Sequence, residues 1–226
     1  VARSLYLESP YADPTLFTFK GELYALVAGN TEQAQSVPAR LTNINVNTLV
    51  TTSEVFTIQF QGTPALVEHR QKLYLFYRQP GTGELRWSWT SDLDTWAASE
   101  AVMSGGEVLT PVGDPACCVY QGVIHLFHGT TSDVSHMRFD GDSGWSRSQT
   151  FIARKFEHPP VVVVHDGLLN LFCVKPEGRP VDTAIYRYRY DGNAVGLVDL
   201  CENMLATDLP GAAVVDGHLI LAYRSI

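Results

Sequence analysis

One pattern returns five times along the chain and leaves few folds open to it: a proline, an apolar run, a short polar turn, and a second apolar run rich in leucine and aromatics. The copies read PTLFTFKGELYALVAG from Pro14, PALVEHRQKLYLFYR from Pro64, PACCVYQGVIHLFHG from Pro115, PVVVVHDGLLNLFCV from Pro160 and PGAAVVDGHLILAYR from Pro210. Within each copy the apolar runs are strand-length and bounded by turn residues, with no helical period. A repeat of about 50 residues built from short strands is the mark of a β-propeller blade.

The second copy shows the blade most fully. From Pro64 to Trp96 an apolar run, the turn Arg70-Gln71-Lys72, a run at Leu73–Tyr77, a Pro/Gly loop and an alternating run at Leu85–Trp89 make one antiparallel meander, and Trp96–Val102 is expected to start a fourth strand. Met103–Asp114 reads as a Gly-rich connection. The predicted fold is therefore all-β, a single domain over 1–226: a five-bladed β-propeller with repeats starting at 14, 64, 115, 160 and 210. The last copy holds only two strands, while ARSLYLES near the start alternates as an outer strand would. Residues 1–13 are expected to complete the last blade, closing the ring by pairing of the N- and C-terminal strands.

Composition narrows the function classes. Of 226 residues, 45% are hydrophobic and 18% charged, ample for a core. A formal charge of −8 without a Lys/Arg cluster argues against a nucleic-acid partner. No apolar run approaches the roughly 20 residues that cross a bilayer. No secretory leader reads ahead of the repeats, so a soluble chain is expected, cytoplasmic or secreted. Cys117, Cys118, Cys173 and Cys201 lie in or beside strands without metal-ligand spacing and read as small buried hydrophobes. Seven histidines show no His-x-His or His-x-x-x-His spacing, and neither a phosphate-cradling loop nor a nucleophile elbow occurs; no metal or cofactor is indicated.

Strand parity says where a site belongs. Strands of a meander alternate in direction, so connections between blades and those between second and third strands open on one face, and the short hairpin turns on the other. The chemically richer loops share the first face. Asp13, Asp114 and Glu157-His158 stand there, each ahead of a first strand, with loops holding Asn30, Arg78, Gln79, His128, Lys175 and Arg224. Carboxylates converging at one mouth suit general acid and base work on a glycosidic bond.

Asp13-Pro14, inside YADPTLFTFKGELYALVAG, resembles the opening of five-bladed glycoside hydrolases of the arabinanase and β-xylosidase type, and Glu157-His158-Pro159 resembles their Glu-Gly-Pro segment. The resemblance implies Asp13 as general base and Glu157 as general acid. His158 stands in place of that glycine, and Thr63 where an assisting Asp is sought, which leaves Asp114 one blade later.

A second resemblance covers more of the chain. FYRQPGTGELRWSWTSDLDTW looks like the repeat of propeller lectins of the fucose-binding and tectonin-like types, and implies Arg78, Glu84 and Trp87 or Trp89 as sugar contacts. Arg and Glu suit vicinal hydroxyls, and an aromatic face covers a sugar's C–H face. Only Arg224 repeats Arg78 in another copy, so few blades would carry a site. Trp96 and Trp145 read as packing wedges. The leading expectation is non-catalytic glycan recognition; a glycoside hydrolase using Asp13, Asp114 and Glu157 is the alternative, and a protein-interaction scaffold the third.

Overall fold

The computed structural model describes residues 14–27, 39–45, 47–48, 51–141, 144–156, 158–174, 184–205 and 210–222, with backbone alone for 198–205. The described elements are all strands. Two compact units, Val1–Ala101 and Val102–Ile226, divide them.

The first unit holds two four-stranded meanders. One is β1 (Thr15–Phe19), β2 (Glu22–Val27), β3 (Arg40–Ile44) and β4 (Thr51–Val55); the other is β5 (Gln61–His69), β6 (Lys72–Arg78), β7 (Leu85–Thr90) and β8 (Glu100–Ala101). The second unit opens with a ribbon, β9 (Met103–Ser104) and β10 (Glu107–Val108). Two further meanders follow: β11 (Ala116–Tyr120), β12 (Val123–Gly129), β13 (Val134–Phe139) and β14 (Gln149–Ile152), then β15 (Val161–His165), β16 (Leu168–Cys173), β17 (Ala184–Tyr190) and β18 (Val195–Leu205). The hairpin β19 (Gly211–Val215) and β20 (His218–Ala222) ends the series, as the two-stranded fifth copy requires. Residues 1–13, expected to complete it, lie outside the described residues.

All five first hairpins close through the same two-residue turn. Its central pairs are Lys20-Gly21, Arg70-Gln71, Gln121-Gly122, Asp166-Gly167 and Asp216-Gly217, every one at positive φ between 49° and 81°. That is the φ signature of a type I′ turn, whose twist matches the flanking strands. Four copies put glycine second; Gln71 occupies that place in the other, at φ 62°.

First strands of neighbouring sheets lie side by side within each unit: β1 beside β5, β11 beside β15, β15 beside β19. In the first unit, Phe17, Phe19 and Leu26 of one sheet bury against Leu73, Leu75 and Tyr77 of the next, each such side chain worth about 1.5–3 kcal/mol. Hydrogen bonds tie the same sheets together, from Thr15 Oγ1 to the Pro64 carbonyl (3.2 Å) and from the Lys20 amide to Glu68 Oε2 (3.0 Å). In the second unit Tyr186, Tyr188 and Tyr190 all turn from β17 into a core shared with Tyr120, Phe127 and Ile152. The alternating Arg187 faces the other way, where Nε and Nη2 donate to Oδ1 of fully buried Asn170 at 3.0 and 2.8 Å.

Three details differ from the sequence reading. The fourth strand of the second sheet is only Glu100–Ala101; Trp96 precedes it, bridged to Thr90, with its ring edge-on to Phe56 at 5.3 Å. Burying that indole between the two sheets of the first unit outweighs extending the strand. The Gly-rich connection contains the β9–β10 ribbon, turned at Gly105-Gly106, both at positive φ. Trp145 stacks on Phe139 of its own sheet (4.6 Å, 17°).

Candidate functional site

Three proposed carboxylates occupy one kind of place, the few residues ahead of a first strand. Asp114-Pro115 precedes β11, Asp13-Pro14 precedes β1, and Glu157 stands four positions ahead of β15. Asp13 and Glu157 themselves lie outside the described residues. Asp114 is half-buried. Its loop is fixed from beneath: the Val112 amide donates to the Gly129 carbonyl at the end of β12 (3.0 Å), and a Cβ on Gly129 would stand 2.5 Å from the Val112 carbonyl oxygen. Only a residue without a side chain allows so close an approach.

The described residues on either side of position 157 are packed. Phe156 is buried, edge-on to Tyr186 at 5.9 Å and Tyr188 at 6.3 Å, and Pro160 is buried just before β15. Two successive prolines fix φ near −65° at 159 and 160, and the first also keeps His158 out of the helical region. The imidazole Nε2 of His158 is buried with no hydrogen-bond partner. On the next sheet back, His128 is buried and its Nε2 pairs with Ser148 Oγ at 3.0 Å; burial lowers its pKa, keeping the ring neutral. In the first unit Gln79, at the end of β6, likewise buries Oε1 without a partner.

The residues suggested by the lectin-like repeat are placed as follows. Register pairs Arg78 with Leu85, Phe76 with Trp87 and Tyr74 with Trp89, so Arg78, Trp87 and Trp89 share one face of the sheet. Trp87 stacks on Tyr74 (6.2 Å, 20°), and the Lys72 ammonium sits 3.8 Å above the Trp89 ring. Glu84 Oε2 accepts from Arg86 Nη1 at 3.2 Å. Arg86 is itself held by Ser99 through Nε to Oγ and Nη2 to the carbonyl, each 2.9 Å. Arg224 lies outside the described residues.

A cleft of ≈ 220 Å³ in the first unit is lined by Tyr24, Asn43, Thr52, Glu54, Asp92 and Asp94. It opens at the hairpin-turn ends of the strands, away from Pro14. One of its carboxylates is an exposed turn group: Asp92 Oδ1 accepts from the Thr95 amide (2.8 Å), the Thr90 hydroxyl (3.0 Å) and the Asp94 amide (3.0 Å), bonds that hold its pKa below the usual range. Among the described residues no three His, Cys, Asp or Glu side chains gather to hold a metal. No helix among them is long and apolar enough to cross a membrane.

No family model and no curated protein matches the chain. Solved structures do. The GH43_1 enzyme from Xanthomonas citri complexed with xylose is 13% identical with a TM-score of 0.64, over 93% of this chain and 80% of that one. The GH43 endo-arabinanase from Bacillus licheniformis is 12% identical with a TM-score of 0.61, over 96% and 89%. A family 117 glycoside hydrolase from Zobellia galactanivorans is 14% identical with a TM-score of 0.60, over 89% and 71%. The fold is thus an all-β propeller like that of the five-bladed glycoside hydrolases. The lectin resemblance draws no support from these neighbours.

Proposed function

We propose that the chain is a glycoside hydrolase of the five-bladed propeller type, acting on xylose- or arabinose-containing saccharides. One observation carries the reading: three carboxylates in sequence, Asp13, Asp114 and Glu157, each stand two to four positions ahead of the first strand of a sheet, in a chain folded like hydrolases of such sugars. Glu157 acts as the acid that protonates the leaving oxygen. Asp13 acts as the base on water, and Asp114 adds negative charge that keeps the acid protonated and orients the sugar.

The test is a panel of aryl xylosides and arabinosides with xylo- and arabino-oligosaccharides, on the wild type and on Asp13→Asn and Glu157→Gln. Turnover should fall about 10²–10⁴-fold in each variant, with the thermal midpoint unchanged. Absence of wild-type turnover across the panel sinks the proposal. If xylotriose still bound, the non-catalytic reading would stand in its place, with Arg78, Glu84, Trp87, Trp89 and Arg224 as the residues to mutate.

A further inference from the structure

The cleft of the first unit is set by strand register. Tyr24, Asn43 and Thr52 stand opposite one another across β2, β3 and β4, and Leu41 pairs with Glu54 two residues along, so all five share one face of that sheet. Glu22 Oε2 accepts from both Tyr24 Oη and Asn43 Nδ2 at 2.8 Å, and Phe17 stacks against the Tyr24 ring (5.6 Å, 14°). The facing wall, Asp92–Asp94, comes from the turn after β7. There Leu93 holds a left-handed backbone (φ 72°), its amide donating to Thr90 Oγ1 at 3.0 Å. A bulky residue takes that conformation only where its surroundings hold it. Both walls are therefore fixed without a ligand.

What these bonds leave over is a set of acceptors. Asn43 keeps Oδ1, Thr52 its hydroxyl, and the Glu54 and Asp94 carboxylates are exposed, while no Lys, Arg or His lines the cleft. Lys20, at the adjoining turn, gives its ammonium to the Ser91 carbonyl (2.7 Å). Buried Leu41, Leu93 and the Tyr24 ring supply apolar surface among the acceptors. We propose that this cleft is a non-catalytic saccharide site that takes one neutral sugar ring. The hydroxyls donate to Asn43 Oδ1, Glu54 and Asp94, and the C–H face lies on the tyrosine and leucine surface. A volume of ≈ 220 Å³ falls short of the roughly 300–1,000 Å³ that encloses a larger ligand, and the carboxylates repel a uronic acid. A point cation is disfavoured because the acceptors are spread around apolar surface: among the described residues no three His, Cys, Asp or Glu side chains converge. The cleft opens at the hairpin-turn ends of the strands, so it needs nothing from the carboxylates ahead of the first strands.

The experiment titrates ¹⁵N-labelled protein with xylotriose, arabinotriose and cellotriose, and separately with glucuronic acid and spermidine. It follows the amides of Thr52, Leu93 and Asp94 and the side-chain amide of Asn43. At least one neutral trisaccharide should move these signals saturably, and glucuronic acid and spermidine should move them less. The double variant Glu54→Ala/Asp94→Ala should weaken the sugar at least about tenfold, with the thermal midpoint and any aryl-glycoside turnover unchanged. The proposal is overturned if no neutral sugar moves the signals, if the double variant binds as the wild type does, or if spermidine or glucuronic acid moves them as strongly. Signals that move in a protein without turnover keep this site and remove the hydrolase reading; turnover with unmoved signals does the reverse.

Discussion

His136 Nε2 lies 2.9 Å from His125 Nδ1, the two rings stacked with centroids 4.9 Å apart in the core between the third and fourth sheets. One nitrogen donates and the other accepts, so at least the accepting ring is neutral. Burial, reinforced by Arg138 on the same face, takes His125 down to about 4. Burial, then His125, Arg138 and His128, takes His136 down to about 3. Tyr120, Tyr190, Phe127 and Phe151 pack their rings around the pair.

Both folded pKa values lie below the unfolded value of 6.5. The unfolded chain therefore takes up protons first as pH falls, and the stability present above pH 6.5 is lost progressively toward pH 4. Thermal midpoints measured from pH 7.5 to 4.5 should drop, and His136→Phe should flatten that dependence. Parallel profiles for wild type and variant would show that the pair does not set it.

Gly129→Ala should be among the costlier small substitutions. Its methyl would meet the Val112 carbonyl at 2.5 Å, and relieving that overlap costs about 1–3 kcal/mol. Because the displaced loop carries Asp114, activity should fall by more than stability accounts for. Denaturation and turnover measured together check this; a variant matching wild type in both would refute it.

Gln71→Gly is expected to stabilise. Gln71 sits at φ 62° in a turn position where the four sister hairpins have glycine. Releasing a left-handed residue recovers about 1 kcal/mol, less the added freedom of the unfolded chain. Chemical denaturation should show a higher midpoint at unchanged slope, and a lower one would count against the turn's being strained.

Trp89 should matter to the fold before it matters to a sugar. With the Lys72 ammonium 3.8 Å above its ring, Lys72→Met should cost about 0.5–1 kcal/mol, and Trp89→Ala should lower the thermal midpoint while leaving xylotriose affinity unchanged. Loss of affinity at unchanged stability would restore Trp89 as a sugar platform.

The hairpins and their turns were legible because local chemistry decides them: an apolar run, two residues tolerant of positive φ, and another run specify a hairpin within a dozen residues. The ribbon at Met103–Val108 was not, since two-residue strands leave no alternation to read. Cross-strand neighbours were hidden for a different reason. Lys72 over Trp89 and His136 on His125 depend on which residues of adjacent strands face each other, and spacing along one strand does not state that register. For the candidate site, the positions ahead of the first strands followed from the repeat itself. That His158 would bury a nitrogen without a partner depended on how Phe156 and two prolines pack, which no motif encodes.

The five matching tight turns also divide labour between the two edges of each sheet. At that edge the chain has no slack, and an insertion would shift strand pairing by a residue and invert what faces the core. The opposite end, where the second strand hands over to the third, differs in length between described sheets, Gln79–Glu84 joining β6 to β7 and Thr130–Asp133 joining β12 to β13, so length there can change with the hairpins left in register. A designer wishing to change what this chain recognises would graft there, and would leave the five turns untouched.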